Sequence, residues 1–334
     1  MIVSVVLIVS TKIAIINYYI NTGLASPIGD MEGQLAYGSA GGLAAGTQYL
    51  NVARDLSRLN SKNEEVTTRD GHVYGYMCEF TLTGGSAVLF TAPNSWKMRN
   101  SFRKFDAYRD IMFDNAGVEG EEMGRYGKTI RAYLDRGHAA GAKLVPETET
   151  SAGANWLLDG GEWTFTQLAT TPIYGAGPRP SLTTEAWADA FPLHICEENV
   201  AGVPPSDEAS GTYDSVGMIH SYNLDRMEVV TPLTADALAS PTNPLAALRS
   251  TGNQATGEVL DIAIDQEIEE PPYDQDDNGD SIQTIISASV LTTSEFATRT
   301  FTAFIPAGVA RMKFSAPSAL TVRVLGKVLC KDMA

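Results

Sequence analysis

The stretch RTFTAFIPAGVARMKFSAPSALTVRVLGKVLCK, residues 299–331, decides the fold class of this chain. It holds three runs rich in alternating, β-branched or aromatic residues, 299–305, 309–314 and 320–331, with short turns between them. In the last run valines alternate with Arg and Lys, so one face of the strand is apolar and the other is charged. The pattern therefore predicts three successive β-strands with one buried face.

Similar short segments recur through the rest of the chain. The strand-like segments before residue 299 are 73–82, 87–91, 163–168, 193–197, 216–222, 227–230, 259–264 and 282–291. Turn-forming stretches rich in Gly and Pro, such as 174–180 and 202–206, lie between them. Many short strands with irregular loops favour a mainly β fold of jelly-roll β-sandwiches, two in tandem, over a parallel α/β sheet.

Two parts of the chain have helical periodicity instead. Thr47 is a candidate N-cap for a short helix, because apolar residues follow at three- and four-residue steps from Tyr49 to Leu59. Residues 95–143 are predicted to form a helical insertion of two helices joined near 117–120. The predicted domains are an N-terminal arm 1–46, a first β-sandwich 47–170 that contains the insertion 95–143, and a second β-sandwich 171–334.

The helical insertion carries a large share of the 24 basic residues of the chain. These are Lys97, Arg99, Arg103, Lys104, Arg109, Arg125, Lys128, Arg131, Arg136 and Lys143. One interpretation is a surface that faces anionic lipid or packaged nucleic acid; the other is a solvated face whose charges pair with nearby acids such as Asp106, Asp110 and Asp135. The second interpretation is favoured, since exposed ion pairs of this kind are common on helices.

Residues 2–20, IVSVVLIVSTKIAIINYYI, form an apolar stretch about as long as a membrane-spanning segment, interrupted by Lys12. A membrane anchor or membrane-touching segment is the first interpretation. Two alternatives stand equally behind it. One is a secretory signal, although no Lys or Arg precedes the apolar run. The other is a β-strand arm, since Val and Ile dominate. Met31 is also a candidate internal start. Residues 23–46, rich in Gly, Ala and Ser, are expected to continue as an extended arm.

Composition and charge narrow the functional class. The chain has 334 residues, a formal net charge of −16 and a sequence pI near 4.6. Tight, non-specific binding to nucleic acid depends on Lys and Arg that replace phosphate counterions, so the charge argues against it and any genome contact is expected to be local. No sequence-specific nucleic-acid partner is expected either. The three cysteines and four histidines are scattered, and they match neither a disulfide framework nor the usual zinc spacings.

One motif matches part of a calcium loop. In the run from Asp274 to Asp280, side-chain oxygens stand at alternate positions and Gly279 supplies a turn. The match is incomplete, because position twelve is Ile285 instead of a bidentate Glu. The candidate ligands of a structural calcium ion are Asp274, Asp276, Asn278 and Asp280. The alternative is an exposed acidic loop between two strands.

The sequence holds no nucleophile elbow, phosphate loop, zinc helix or dinucleotide-binding fingerprint in a suitable context. We therefore expect a non-enzymatic protein with no catalytic residues and no cofactor other than the candidate calcium. A polysaccharide-active enzyme stays an alternative, which requires two carboxylates facing each other across an aromatic-lined cleft.

The arm, the recurring short strands and the long loops resemble the double jelly-roll major capsid proteins of tailless, membrane-containing icosahedral viruses. The resemblance extends over residues 73–331 and rests on pattern. It implies a structural protein of the virion that self-assembles as homotrimeric capsomers with lateral contacts between them. It also implies that residues 2–20 can approach an internal viral membrane. The helical insertion departs from the family pattern, so a single jelly roll with an inserted subdomain stays open.

A second functional class fits the same residues. A secreted or membrane-anchored β-sandwich binding module, in particular a calcium-dependent carbohydrate binder, is expected if residues 2–20 are a signal or anchor and the Asp274 loop binds metal.

Overall fold

The computed structural model describes residues 25–26, 33–38, 41–116, 129–149, 155–169, 190–201, 213–227, 285–292 and 298–330. Its strands are β1 (Ala25–Ser26), β2 (Gln34–Tyr37), β3 (Gly46–Asn51), β4 (Tyr74–Thr83), β5 (Ser86–Thr91), β6 (Glu147–Glu149), β7 (Asn155–Leu157), β8 (Gln167–Ala169), β9 (Ala190–His194), β10 (Val200–Ala201), β11 (Tyr213–Gly217), β12 (Ile285–Thr292), β13 (Thr298–Pro306), β14 (Val309–Phe314) and β15 (Ala319–Leu329). The helices are α1 (Val52–Leu59), α2 (Trp96–Ala116), α3 (Arg136–Ala140) and α4 (Met218–Met227). The fold is mainly β, as the sequence predicts.

Eight of these strands pair from the two ends of the chain inward. The outermost pair is β2 with β15, followed by β3 with β14, β4 with β13, and the innermost pair β5 with β12. All four pairs are antiparallel. The chain therefore behaves like one long hairpin, in which each strand of the first half meets its counterpart from the second half.

Alternate pairs of this hairpin share a sheet. Pairing of β15 with β4 joins the first and third pairs into the order β13-β4-β15-β2, and β6 and β7 extend this sheet beyond β2. Pairing of β14 with β5 joins the second and fourth pairs into the order β12-β5-β14-β3. We call these the first sheet and the second sheet. Neither sheet is built from one half of the chain alone.

One apolar core links the inner faces of both sheets. On β4 the buried residues alternate, with Cys78, Phe80 and Leu82 all 0% exposed. Leu89 on β5 and Met312 on β14 contribute to the same core from the second sheet. Alternation with a period of two places these side chains on one face of each strand, as the sequence pattern predicts.

The connection between β13 and β14 passes from one sheet to the other, since β13 belongs to the first sheet and β14 to the second. Its two linking residues, Ala307 and Gly308, have φ angles of 55° and 71°. Glycine adopts a positive φ at no steric cost, so Gly308 suits this position. The Gly308 amide donates to the Ile305 carbonyl at 3.3 Å, and the Ala307 amide donates to the Tyr74 carbonyl at 2.8 Å, which ties the connection to β4.

The predicted arm and domain boundary differ from these pairings. Strand β2 lies inside the predicted arm 1–46, yet Leu35 and Tyr37 are each 1% exposed, because β2 lies between β15 and β6. Strand β4 from the predicted first sandwich 47–170 pairs with β13 and β15 from the predicted second sandwich 171–334. The boundary at residue 170 therefore does not separate the two sheets.

The predicted helix near residue 50 begins later than expected. Thr47 lies in β3 opposite Lys313, and the ladder to β14 keeps Tyr49 extended as well. Asn51 caps α1 instead, since its side-chain oxygen accepts a hydrogen bond from the Arg54 amide at 3.0 Å. Pairing with a distant strand thus overrides the local helical pattern at the beginning of this segment.

In its described residues, 95–116 and 129–143, the helical insertion holds the long helix α2 and the short helix α3. The sequence predicts a second helix through Met123, Tyr126, Ile130 and Tyr133, of which residues 117–128 lie outside the described residues. In the described part Ile130 is not helical, and Tyr133 forms a bridge with His194, where its amide donates to the Leu193 carbonyl at 2.8 Å. Strands β8 to β11 form a small third sheet in which β9 and β11 are parallel. The predicted strand 216–222 is also wrong after Gly217, where α4 begins.

Candidate assembly surface

The most prominent surface feature of the described chain is the end of the first sheet at β7. All three residues of β7 are exposed, and no described strand pairs with its outer edge. Trp156 is 62% exposed and Leu157 is 49% exposed, and they are the exposed large apolar side chains of the described residues. An open strand edge with apolar side chains is a template for pairing with another strand.

Glu147 anchors the β6–β7 hairpin on the sheet. Its two carboxylate oxygens accept hydrogen bonds from the Gly38 amide at 3.1 Å and from the Asn155 side chain at 3.3 Å. The Leu158 amide donates to the Pro146 carbonyl at 2.8 Å and closes the far end of the hairpin. These bonds hold β7 in place even though its side chains have little packing around them.

The register places the two apolar side chains on opposite faces of the sheet. Ala36 pairs with Glu147, which in turn pairs with Leu157, so these three residues share one face. Because Leu35 and Tyr37, the neighbours of Ala36, point into the core, that face is the outer one. Trp156 pairs with Thr148 and therefore lies on the core side of the sheet. A strand added at this edge would contact an apolar side chain on each face.

The exposed area of Trp156 is large enough to matter for association. With 62% of its surface exposed, Trp156 offers about 150 Å² for burial, since a Trp covers up to about 250 Å². At about 25 cal/mol per Å², covering it is worth at most about 4 kcal/mol. Tryptophan is also enriched among the residues that dominate interface energies.

The basic residues of the helical insertion form a second candidate surface. Lys104 lies 2.6 Å from the Asp225 carboxylate, and Arg109 lies 2.7 Å from that of Asp106. Both acids are nearly buried, and burial lowers the pKa of Arg109. The two basic residues are thus paired with acids, but Arg109 and both acids are buried, so these pairs do not lie on a solvated face. Arg125 and Lys128 lie outside the described residues.

A buried polar cluster ties β2 and α1 to Leu144, just after the insertion. The Tyr37 hydroxyl donates to one oxygen of Asp55 at 2.7 Å, and the Arg54 guanidinium donates to the other at 2.7 Å. Arg54 also donates to the Leu144 carbonyl. Desolvation raises the pKa of Asp55 despite the adjacent Arg54, and burial together with Asp55 raises the pKa of Tyr37. The cluster has the character of a structural tie, since Asp55 is 0% exposed.

A second buried cluster surrounds His138. Its ring stacks on Tyr49, with centroids 4.7 Å apart, and its Nδ1 accepts a hydrogen bond from the Leu134 amide at 3.1 Å. Asp135 caps α3 and receives the Arg311 guanidinium from β14 at 2.9 Å. Burial and nearby cations lower the pKa of His138 to about 3, so this ring is neutral near pH 7. The cluster fastens the insertion to the second sheet.

The calcium residues predicted from sequence, Asp274, Asp276, Asn278 and Asp280, lie outside the described residues, as do residues 2–20. Within the described parts of the chain, no three His, Cys, Asp or Glu side chains are grouped so that they could hold a metal ion. No helix among those parts is long and apolar enough to cross a membrane. Cys78, Cys196 and Cys330 are buried free thiols.

Sequence reasoning did not single out Trp156 and Leu157. Both residues are exposed because β7 is the last strand of a seven-stranded sheet. A strand of three residues is too short for its sequence to show that position. The one available signal is the pair of adjacent apolar residues between the Gly- and Ser-containing stretch 150–154 and the acidic, Gly-rich stretch 159–162.

No protein-family model matches this chain, and neither the curated proteins nor the solved structures contain a match to it.

Proposed function

We propose that this protein is a major capsid protein, a structural and non-enzymatic subunit of an icosahedral virion whose shell domain is a jelly roll. The observation that supports the proposal is the nested order of the four strand pairs. A jelly roll has eight strands in two sheets and arises when a long antiparallel hairpin wraps around a core. Wrapping sends successive pairs of the hairpin to alternate sheets, which is the arrangement of β2–β5 with β12–β15.

We infer one jelly roll with a long insertion in place of two in tandem. All eight strands belong to one pair of sheets, and residues 92–284 lie between the strands of the innermost pair, β5 and β12. This longer insertion, residues 92–284, includes α2, the small third sheet and α4. Asp135 and His138 within it contact the second sheet of the sandwich. This was the alternative left open by the size of the helical insertion.

Jelly rolls also occur in lectins and in cupin enzymes, so the topology alone does not choose a function. Enzymatic barrels of this kind need a polar site between the sheets. Here the space between the described sheets is filled by apolar side chains such as Phe80, Leu89, Met312 and Phe314, each at most 2% exposed. A β-sandwich whose interior is packed with apolar side chains suits a shell subunit better than a protein that binds a ligand between its sheets.

Two further features favour self-assembly into trimers and shells. The apolar edge at β7 offers a place for a strand from another subunit. The net charge of −16 keeps free subunits apart and soluble until specific contacts overcome the repulsion. Homotrimeric capsomers with lateral contacts are the assembly that the family resemblance implies.

The test is the size distribution of the purified full-length protein, measured by light scattering and negative-stain microscopy over a range of salt concentrations. Discrete trimers that convert into shells or hexagonal sheets support the proposal. A particle that stays monomeric under every condition contradicts it and favours the surface-anchored binding module, whose glycan binding can then be measured with and without calcium.

A further inference from the structure

We propose that His138 and His194 form an acid-sensitive latch, in which a proton on either ring loosens residues 129–144 from the second sheet and from the small third sheet. We call residues 129–144 the linking segment. The inference goes beyond the proposed function, because it concerns a single chain and holds whether or not copies of the chain associate.

The linking segment is bonded to a sheet on each side. On one side the Tyr49 amide of β3 donates to the Ala142 carbonyl at 2.9 Å, and the Leu144 amide donates to the Tyr49 carbonyl at 2.8 Å. On the other side the Tyr133 amide donates to the Leu193 carbonyl of β9 at 2.8 Å. These backbone bonds attach the segment to the second and third sheets.

The His138 ring lies between the two attachments. It stacks on Tyr49 with centroids 4.7 Å apart and meets the Tyr133 ring edge-on at 5.3 Å. Its Nδ1 accepts a hydrogen bond from the Leu134 amide at 3.1 Å. Because an accepting ring nitrogen carries no hydrogen, the neutral ring has its hydrogen on Nε2, and an added proton goes to Nδ1. That proton faces the Leu134 N–H, so the hydrogen bond between them is lost.

His194 has the opposite arrangement of its two nitrogens. Its Nδ1 donates to the Cys196 carbonyl, since a carbonyl oxygen can only accept. An added proton therefore goes to Nε2, which is buried and has no hydrogen-bond partner among the described residues. With His194 only 2% exposed, a charged N–H at that place is costly.

Close backbone packing restricts both rings. A Cβ added at Gly141, at the end of α3, would lie 2.5 Å from the ring of Tyr49, on which His138 stacks. A Cβ added at Gly217 would lie 3.2 Å from the ring of His194. Neither protonated ring can therefore turn to a new partner unless the surrounding backbone moves.

The charged groups around His138 also oppose its protonation. Burial, followed by Lys143 and by Arg54 of α1, lowers the pKa of His138 to about 3. Asp135, the acid nearest to it in sequence, is engaged by Arg311 of β14 at 2.9 Å. The surroundings of the ring thus favour the neutral form.

Burial is the largest cause that lowers the pKa of His194, to about 4. The Cys196 carbonyl and Asp135 act in the opposite direction, and Arg136 and His220 act in the same direction as burial. His194 is therefore also neutral near pH 7.

The sign and size of the effect follow from these pKa values. Both lie below the ordinary value of 6.5, so the open form takes up protons first and the closed form loses stability as the pH falls below 6.5. From pH 7 to pH 5 the equilibrium constant for opening should rise about 25-fold through His138 and about 20-fold through His194, or about 500-fold together. Carboxylates with ordinary pKa values near 4 stay largely charged over this range.

The native cysteines of the full-length chain report this opening. The Cys196 amide donates to the Leu134 carbonyl of the linking segment at 3.0 Å, so Cys196 becomes accessible when the segment separates from the third sheet. Cys78 in β4 and Cys330 after β15 belong to the sandwich core and serve as internal references. All three are at most 1% exposed in the closed form.

The experiment labels these thiols with an aromatic disulfide reagent that reacts in acid, and peptide mass spectrometry identifies each product. Each rate is divided by the rate for the urea-unfolded chain at the same pH, which removes the pH dependence of the reagent. From pH 7 to pH 5 the corrected rate of Cys196 is expected to rise up to about 500-fold. At pH 5 it should exceed the rates of Cys78 and Cys330 at least about tenfold.

Matched variants assign the effect to the rings. His138→Gln can still accept from the Leu134 amide, and His194→Gln can still donate to the Cys196 carbonyl. The two variants are expected to reduce the rise about 25-fold and about 20-fold respectively. His72→Gln, which changes a partly exposed histidine outside the linking segment, should leave the rise unchanged.

Three results would overturn the inference. The first is a corrected Cys196 rate that is the same at pH 7 and pH 5. The second is equal labelling of all three cysteines at pH 5, which would show that the whole chain unfolds. The third is a rise that both glutamine variants leave as large as the His72→Gln control does. If a variant does not fold, the three native thiols of the unaltered chain decide the question.

Discussion

A disulfide between β4 and β13 would test the strand order directly. Thr81 and Thr300 are paired residues whose hydroxyl oxygens lie 3.2 Å apart on the outer face of the first sheet. Paired residues in antiparallel strands have Cα atoms about 4.5–5.5 Å apart, which is within the range that a disulfide spans. The double variant Thr81→Cys/Thr300→Cys is therefore expected to oxidise without distortion of the sheet.

The expected stabilisation follows from the length of the closed loop. A link between residues 81 and 300 closes a loop of about 220 residues, and the chain-entropy relation gives at most about 5 kcal/mol for that length. Urea denaturation with and without reductant measures the difference, and thiol titration in denaturant counts the bonds formed. The native thiols react slowly in the folded state, since desolvation raises the pKa of Cys78 and raises that of Cys330 to about 12.

The matched control moves one cysteine by two positions. Thr302 pairs with Glu79 and stands on the same face, diagonal to Thr81. Diagonal neighbours are about 7–8 Å apart, beyond the reach of a disulfide, so Thr81→Cys/Thr302→Cys should stay reduced. If the first pair also stays reduced while the protein is folded, β4 and β13 are not neighbours. Two separate sandwiches divided at residue 170 would then be the better description.

Three other predictions concern the core and the surface. Asp55→Ala is expected to lower the free energy of unfolding by about 3–5 kcal/mol, because Arg54 stays buried without a counterion. Tyr37→Phe is expected to lower it by only about 1–2 kcal/mol, because one hydrogen bond is lost. Equal losses for the two variants in urea denaturation would contradict the role of Asp55 as the centre of this buried cluster. Because the folded pKa of His138, about 3, lies below the ordinary value of 6.5, the unfolded chain takes up the proton first and stability is lost as the pH falls below 6.5. Between pH 6.5 and pH 5 this costs about 2 kcal/mol, and His138→Phe should remove that part of the pH dependence; an unchanged slope would contradict burial of a neutral ring. Trp156→Ser should change the free energy of unfolding by less than about 0.5 kcal/mol while lowering the yield of assembled particles, and a clearly destabilised monomer would show that Trp156 serves its own fold.

The local alternation of apolar and polar residues was sufficient to predict the carboxy-terminal strands. The predicted segment 309–314 coincides with β14, and the segment 299–305 differs from β13 by one residue at each end. In both strands the alternating side chains point into a two-sheet core, so the pattern that is visible in the sequence is the one that burial imposes. Composition likewise accounts for the mainly β character.

Local pattern was insufficient where distant pairing decides the outcome. Tyr49 has helical spacing with Leu56 and Leu59, yet β14, more than 250 residues away, holds it in β3. Gly217 ends β11 and α4 follows, although residues 216–222 have strand-like composition. The Gly217 amide at the end of β11 and the Ser221 hydroxyl in α4 both donate to the Asn199 side chain. This contact spans about twenty residues, which no local window contains.

The candidate surface could not be read from the sequence for a related reason. Whether Trp156 is core or surface depends on which strand is last in the sheet, and that depends on the single ladder contact between Ala36 and Glu147. An aromatic residue between turn-forming stretches is as often buried as exposed.

The nested strand order also has a consequence for the time course of synthesis. Both neighbours of β4 in the first sheet, β13 and β15, belong to the last 37 residues of the chain. At about 5–20 residues per second, a ribosome that has completed β4 needs about 10–50 s more to deliver β15. During that interval a ten-residue strand with two open edges can meet other nascent chains on the same message. Production of this protein should therefore respond strongly to growth temperature and chaperone supply, and chains that terminate before residue 298 should accumulate as aggregates.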